Sequence, residues 1–228
     1  MASSDINQNP FNAIPLVVVA LVAILLGIEL IFQAGARGFA GSDGIGWRLE
    51  ALNAFAFSPQ LWDRMVETGQ FPPRALLRFV TYSFVHLSFG HMLFVLVFLL
   101  ALGKMVAEAF SALAVLAVLA VSSIVGALVY AAALSPSIAL VGGYPAVYGL
   151  IGAYTFILWT GLGTLGEQRM RAFTLIALLM GIQLLFGLMF GGGPEWVADL
   201  GGFCAGFALS FVVSPGGFGR VLDKLRQR

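Results

Sequence analysis

The sequence predicts an all-α, polytopic membrane protein, a bundle of six transmembrane helices. Hydrophobic residues make up 60% of the 228 residues and charged residues only 10%, and the mean hydropathy is +0.96. Soluble domains do not have this composition. The apolar residues also lie in six stretches, each close to the length of about 20 residues that crosses a bilayer. The lipid bilayer is therefore the first partner that the sequence predicts.

The six predicted spans follow one another along most of the chain. They cover residues 14–34, 90–109, 111–134, 144–162, 172–190 and 196–213. We expect the first span to be retained, because it is too long for a signal-peptide core and residues 1–13 contain no Lys or Arg. The predicted membrane domain is thus 14–214, between a short tail over 1–13 and a basic tail over 215–228.

The basic residues of the short connections predict the orientation in the membrane. They cluster on one side, in the last turns of the second span and after the fourth and sixth spans: Lys104, Arg169, Arg171, Arg220, Lys224, Arg226 and Arg228. We therefore expect both termini in the cytoplasm, and a bacterial inner membrane as the location. Five arginines in the long first connection weaken this bias without reversing it, because long connections follow charge poorly.

That first connection, residues 35–89, is predicted to contain helices lying in the membrane interface. Apolar side chains such as Trp47 and Trp62 alternate with charged ones such as Arg48 and Asp63 at near-helical spacing. Tryptophan is common at the headgroup level. The alternative is a plain interfacial anchor with no role in recognition.

Two motifs lie in the fourth and sixth spans. They read GGYPAVYGLIG over residues 142–152 and ADLGGFCAG over residues 198–206. They resemble the active-site helices of the rhomboid intramembrane serine proteases, whose patterns are G-x-S-G followed by an aromatic residue and a further glycine, and A-H-x-x-G-x-x-x-G. Gly142, Tyr148 and the glycines match this pattern. The catalytic serine position is Tyr144, however, and the catalytic histidine position is Asp199.

A third motif precedes the second span. Rhomboids carry H-x-x-x-x-H-x-x-x-N there, and the three places are occupied by His86, His91 and Val95. The resemblance implies that the second histidine and the asparagine help to hold the oxyanion, so only His91 remains as a donor. The alternative for both histidines is an interfacial residue bonded to nearby backbone. Upstream, Arg78 matches the family's Trp-Arg pair without its tryptophan.

Small residues predict that the fourth and sixth spans pack closely, because glycines let helices approach each other in lipid. These residues are Gly149, Gly152, Gly202 and Gly206. The resemblance implies the same contact, which in the family brings serine and histidine together.

The single cysteine, Cys204, permits no intramolecular disulfide and is expected to be a small buried residue.

The residues at the catalytic serine and histidine positions, Tyr144 and Asp199, argue against proteolysis. A phenol with a pKa near 10 is a poor nucleophile, and Asp199 cannot replace a histidine base. We expect Asp199 to need a partner inside the membrane and to bond Tyr144, with Tyr148 and His91 as other candidates. The alternative is a carboxylate wetted at the mouth of the last span. The remaining buried hydroxyls are expected to bond back to their own helices: Ser122, Ser123 and Ser210.

The predicted function is therefore that of a rhomboid-like pseudoprotease, without competent catalytic residues, that binds the transmembrane segment of a membrane-protein client. The alternatives are an active intramembrane endopeptidase with an altered site and a small-molecule carrier. We expect no cofactor and no metal, because the spacing of His86 and His91 does not place two ligands on one helical face. A net charge of +1 with no basic stripe argues against nucleic acid as a partner.

Overall fold

The computed structural model describes residues 13–39, 41–134, 138–190 and 193–217, and these residues are helical almost throughout. The predicted N-terminal tail, apart from Ala13, and the basic residues of the C-terminal tail lie outside the described residues. The α-helices are α1 Leu16–Ala36, α2 Trp47–Phe55, α3 Pro59–Thr68, α4 Pro73–Thr81, α5 Phe89–Ala109, α6 Ala112–Leu134, α7 Tyr144–Thr164, α8 Thr174–Phe190 and α9 Trp196–Val213. Short 3₁₀ helices cover Ser42–Gly46, Tyr82–Phe84 and Arg169–Phe173.

The six predicted spans correspond to α1, α5, α6, α7, α8 and α9, so the all-α, polytopic fold class is confirmed. Within the described ranges, five of these helices are long and apolar enough to cross a membrane. The sixth, α8, has 17 residues, which is the lower limit for a spanning helix. It starts later than predicted because the chain first forms the 3₁₀ turn Arg169–Phe173.

The long first connection folds into the three short helices α2, α3 and α4. Local signals set their ends: the Ser58 side chain accepts a hydrogen bond from the Leu61 amide, and Gly69 ends α3 with a φ of 66°. Arg78 then fastens α4 to α2 by donating to the carbonyl oxygens of Asn53 (3.0 Å) and Ala56 (3.2 Å). The predicted helical content of this connection is thus confirmed.

The helix α7 lies at the centre of the bundle, where it packs against α9, α6 and α5. Every residue from Pro145 to Ala153 is buried, as expected for a helix surrounded by others. On α9 the buried face includes Gly202 and Gly206, whereas Cys204 is exposed on another face. The prediction of a buried Cys204 was wrong, because its position on α9 turns it away from α7.

The first connection also contacts the segment that leads into α7. Phe57 and Leu140 exchange two backbone hydrogen bonds, of 3.0 Å and 2.8 Å. Next to them, the Tyr82 hydroxyl donates to the Ser123 carbonyl of α6 at 2.9 Å. These contacts hold the first connection beside the start of α7, where the predicted site residues lie.

Candidate functional site

A cavity of about 680 Å³ lies between the first connection, α5, α7, α8 and α9. Four of the predicted site residues line it, namely His91, Tyr144, Tyr148 and Asp199. The others lie behind this wall: His86 and Val95 are each only 2% exposed, and Gly142 packs against His91. The structure therefore brings together residues that are more than 100 positions apart in the sequence.

The glycines of α7 and α9 bring Tyr144 and Asp199 to the same cavity. A Cβ atom on Gly206 would overlap the carbonyl oxygen of Gly149, and one on Gly202 would overlap the carbonyl oxygen of Pro145. Similarly, a Cβ atom on Gly152 would overlap the carbonyl oxygen of Phe203. Because backbone meets backbone at all three places, the two helices could not approach this closely with larger residues.

The carboxylate of Asp199 is 2% exposed and accepts a hydrogen bond from Gln183 Nε2 on α8, at 2.9 Å. The Tyr148 hydroxyl donates to Gln183 Oε1 at 3.2 Å, so the amide joins α7 to α9. The bond that we expected between Tyr144 and Asp199 is not formed among the described residues, and that prediction was wrong. The reason is that the Gln183 amide donates the hydrogen bond to Asp199, while the Tyr144 ring stacks on the ring of His91.

Tyr144 stacks on the ring of His91. The ring centroids are 5.1 Å apart and the planes are inclined by 20°, an arrangement that aromatic rings favour. The start of α7 sets the position of Tyr144, and the N-cap Ser88 of α5 sets that of His91 by accepting a hydrogen bond from the His91 amide at 3.2 Å. Tyr144 therefore contacts the residue at the second-histidine position and is not paired with the residue at the base position.

The two histidines accept hydrogen bonds from backbone amides. His86 Nε2 accepts from Gly143 N, and His91 Nδ1 accepts from Leu87 N, each at 3.3 Å. A ring nitrogen that accepts carries no proton, so both imidazoles are neutral in this arrangement. Burial and the neighbouring His91 lower the pKa of His86 to about 4. Backbone bonding of the two histidines was one of the alternatives that the sequence left open.

Val95 fills the place where the family pattern has an asparagine. Its side chain is buried against the backbone of Gly143: a Cβ atom on that glycine would lie 2.9 Å from Val95 Cγ1. Gly142, with a φ of +93°, lies against Nε2 of His91. An apolar methyl group and a glycine thus surround the place where the resemblance implies oxyanion donors.

Among the described residues, the buried serines Ser122, Ser123 and Ser210 form no hydrogen bond with a histidine or a carboxylate. Ser210 Oγ donates to the Gly206 carbonyl at 2.7 Å, and Ser123 Oγ donates to the Leu119 carbonyl at 2.9 Å, as predicted for hydroxyls bonded to their own helices. Ser122 differs from that prediction, because its buried Oγ has no hydrogen-bond partner among the described residues. It packs against Gly149, and neither described histidine forms a hydrogen bond with it.

An ion pair behind the cavity was not predicted. Arg48 of α2 pairs with Glu29 of α1 at 2.7 Å and donates to the His86 carbonyl oxygen, also at 2.7 Å. Its guanidinium group also lies over the ring of Phe32. Arg48 therefore joins α1, the first connection and the segment that carries His86.

Gln183 was also missed by the sequence analysis. It is the single amide in the apolar run of α8, and a polar side chain at such a position needs a partner inside the bundle. That signal was available in the sequence. The ion pair of Glu29 was signalled only by a carboxylate inside a predicted span.

Comparison with known proteins adds one finding. The family model of the Rhomboid domain matches residues 73–216, which is more than half of the chain. The match begins at the start of α4, ends after α9 and includes all of the predicted site residues. No curated protein matches the chain.

Proposed function

This chain belongs to the rhomboid family, and we propose on that premise that it binds the transmembrane segment of a membrane-protein client without cleaving it. The observation that supports the proposal most strongly is the set of residues that line the cavity. It is large and mostly apolar, and the tyrosine at the serine position is stacked on a histidine and not paired with a base. A nucleophile without a base cannot carry out acyl transfer at neutral pH.

The walls of the cavity suit an apolar helix. Phe98 on α5 and both Leu179 and Ile182 on α8 contribute apolar surface. Part of the wall formed by α8 is also accessible from outside the bundle, because Ile182 is 46% exposed. A segment arriving through the lipid could therefore contact the cavity beside α8. Polar groups at its inner end, on Tyr148, Gln183 and Asp199, would fix the position of the bound segment.

The family's proteolytic activity is the competing function, with an altered site. It would require a nucleophile and preorganised oxyanion donors. Of the four groups that the resemblance implies, only His91 remains, and one lost oxyanion donor already costs about 100-fold to 1000-fold in rate. The Asp199 carboxylate accepts a hydrogen bond from Gln183, and no serine lies in the described lining of the cavity.

Site-specific photocrosslinking tests the proposal. A benzophenone amino acid at position 179 faces the cavity, whereas the same group at position 188 on α8 serves as a matched control, because Leu188 is 86% exposed and does not line the cavity. In native membranes we expect position 179 to crosslink to transmembrane segments of other proteins and position 188 to crosslink to lipid. Crosslinks to lipid alone at both positions would contradict the proposed binding.

The proteolytic alternative has its own test. The purified protein is incubated with a rhomboid substrate and a serine-reactive fluorophosphonate probe. We expect an intact substrate and an unlabelled protein. Labelling that is lost in Ser122→Ala, Ser123→Ala or Ser210→Ala would establish the alternative instead.

We also propose that both termini face the cytoplasm of a bacterial inner membrane, as the basic residues after α7 and within α5 suggest. In a Cys204→Ser background, Ile138→Cys and Met170→Cys place a thiol at exposed positions of the α6–α7 and α7–α8 connections. An impermeant maleimide applied to intact cells is expected to label position 138 and to spare position 170. The opposite pattern would reverse the proposed orientation.

A further inference from the structure

The cavity is acidic. Asp199 and Glu195 both line it, and no Lys or Arg lies in its described lining. The one histidine of the lining, His91, is neutral in this arrangement because its Nδ1 accepts the Leu87 amide. Two nearby arginines are engaged elsewhere: Arg78 donates to the backbone carbonyl oxygens of Asn53 and Ala56, and Arg48 is bound to Glu29 and to the backbone of His86. Within the part of the chain that the structure describes, no Lys or Arg side chain therefore lines the cavity.

Asp199 is incompletely satisfied for a carboxylate inside a membrane. Among the described residues its side chain accepts one hydrogen bond, from the neutral amide of Gln183, although a carboxylate can accept about four. An ionised carboxylate in a span costs about 2.5 to 3.5 kcal/mol even on the mildest insertion scale. A neutral amide offsets only part of that cost, so a cation delivered to the cavity would be bound favourably.

We infer that the preferred clients are transmembrane segments that carry a lysine or arginine at the level of Asp199. Asp199 is the fourth residue of α9, about 4.5 Å along the helix axis at a rise of 1.5 Å per residue. Long basic side chains reach such a depth from the membrane surface. The rings of Tyr144 and Tyr148 line the same cavity and favour a cation through their π-faces.

This inference rests on the proposed function, because it names the class of segment that the cavity binds. A segment of this class pays a similar insertion cost for its own basic residue in lipid. Pairing it with Asp199 removes both costs together. The cavity would therefore distinguish basic segments from fully apolar ones by charge and not by shape.

The test uses the full chain reconstituted in lipid nanodiscs and three synthetic peptides. Each is a fluorescent leucine and alanine helix of about 20 residues, identical except at one position. That position lies one turn inside the membrane on the side where α9 begins and is lysine, leucine or glutamate. We expect the lysine peptide to bind at least about tenfold more tightly than the leucine peptide, a difference of about 1.4 kcal/mol, and the glutamate peptide to bind most weakly.

The variant Asp199→Asn is expected to reduce the ratio of lysine to leucine affinity to within about twofold of unity. Asp63→Asn is the matched control, because Asp63 is exposed on α3 and does not line the cavity, and we expect it to keep the full preference. Thermal unfolding of both variants establishes that they are folded. If Asp199→Asn does not fold, the same affinity ratio is measured with Glu195→Gln, which removes the other carboxylate of the lining, and we expect the ratio to fall.

The outcomes separate the two proposals. Equal binding of the lysine and leucine peptides would overturn this inference and leave the proposed function standing. A lysine preference that survives Asp199→Asn would also overturn it. Binding of none of the three peptides would contradict the proposed function and, with it, the inference.

Discussion

The close contact of α7 and α9 gives the sharpest prediction about stability. In Gly206→Ala the new methyl group would overlap the carbonyl oxygen of Gly149 and would lie 2.6 Å from its carbonyl carbon and Cα atom. These are backbone atoms, which cannot rotate away as a side chain can, so the two helices must separate. Overpacking of a well-packed core costs about 1–3 kcal/mol. We expect about 3 kcal/mol, the upper end, because α7 is the central helix.

The assay is equilibrium unfolding in mixed micelles, followed by the fluorescence of the tryptophans. Gly161→Ala is the matched control on α7 itself, because a Cβ atom on Gly161 has nothing within 4 Å. We expect this control to unfold within about 1 kcal/mol of the wild type, since alanine favours a helix over glycine by about that amount. A Gly206→Ala protein as stable as the Gly161→Ala protein would refute the packing argument.

Three further perturbations follow from the polar contacts. Arg48→Met leaves the buried Glu29 without its ion-pair partner, so we expect the free energy of unfolding to fall by about 3–5 kcal/mol and to recover when Glu29→Gln is added. His86 has a folded-state pKa of about 4, below the unfolded value near 6.5. The unfolded chain therefore takes up a proton first, and stability is expected to be constant above about pH 6.5 and to fall by about 3 kcal/mol towards pH 4. Unfolding titrations across that range check this, and His86→Gln is expected to remove this part of the slope; an unchanged slope would contradict it. Gln183→Leu removes the donor to Asp199 and is expected to cost about 1–3 kcal/mol by the same unfolding assay, whereas an unchanged stability would show that the bond is not important.

The sequence predicted the bundle well because the strongest physical signals in it are local. Long apolar runs identify the spans, and Gly202 and Gly206 identify the face of α9 that meets α7. The motifs that contain His91, Tyr144 and Asp199, through their resemblance to the family pattern, were enough to place three distant segments around one site. Each of these signals can be read from a short window of the chain.

The polar contacts inside the site could not be predicted in the same way. Whether Asp199 pairs with Tyr144 or with Gln183 depends on how α8 packs and on which ring stacks on His91. Those are tertiary details, decided by distances of a few ångströms between helices. The pair of Glu29 and Arg48 joins a span to an interfacial helix, and no local pattern links the two residues.

The central claim is that the chain binds transmembrane segments and does not cleave them. The detergent-solubilised protein is incubated for hours with the lysine-containing helix peptide. Native mass spectrometry then detects binding and cleavage of the peptide in a single spectrum. We predict a complex with the summed mass of the intact protein and the intact peptide, and no peptide fragments. Fragments of the peptide that form with the wild type, and that are missing when one of the buried serines is replaced by alanine, would contradict the account.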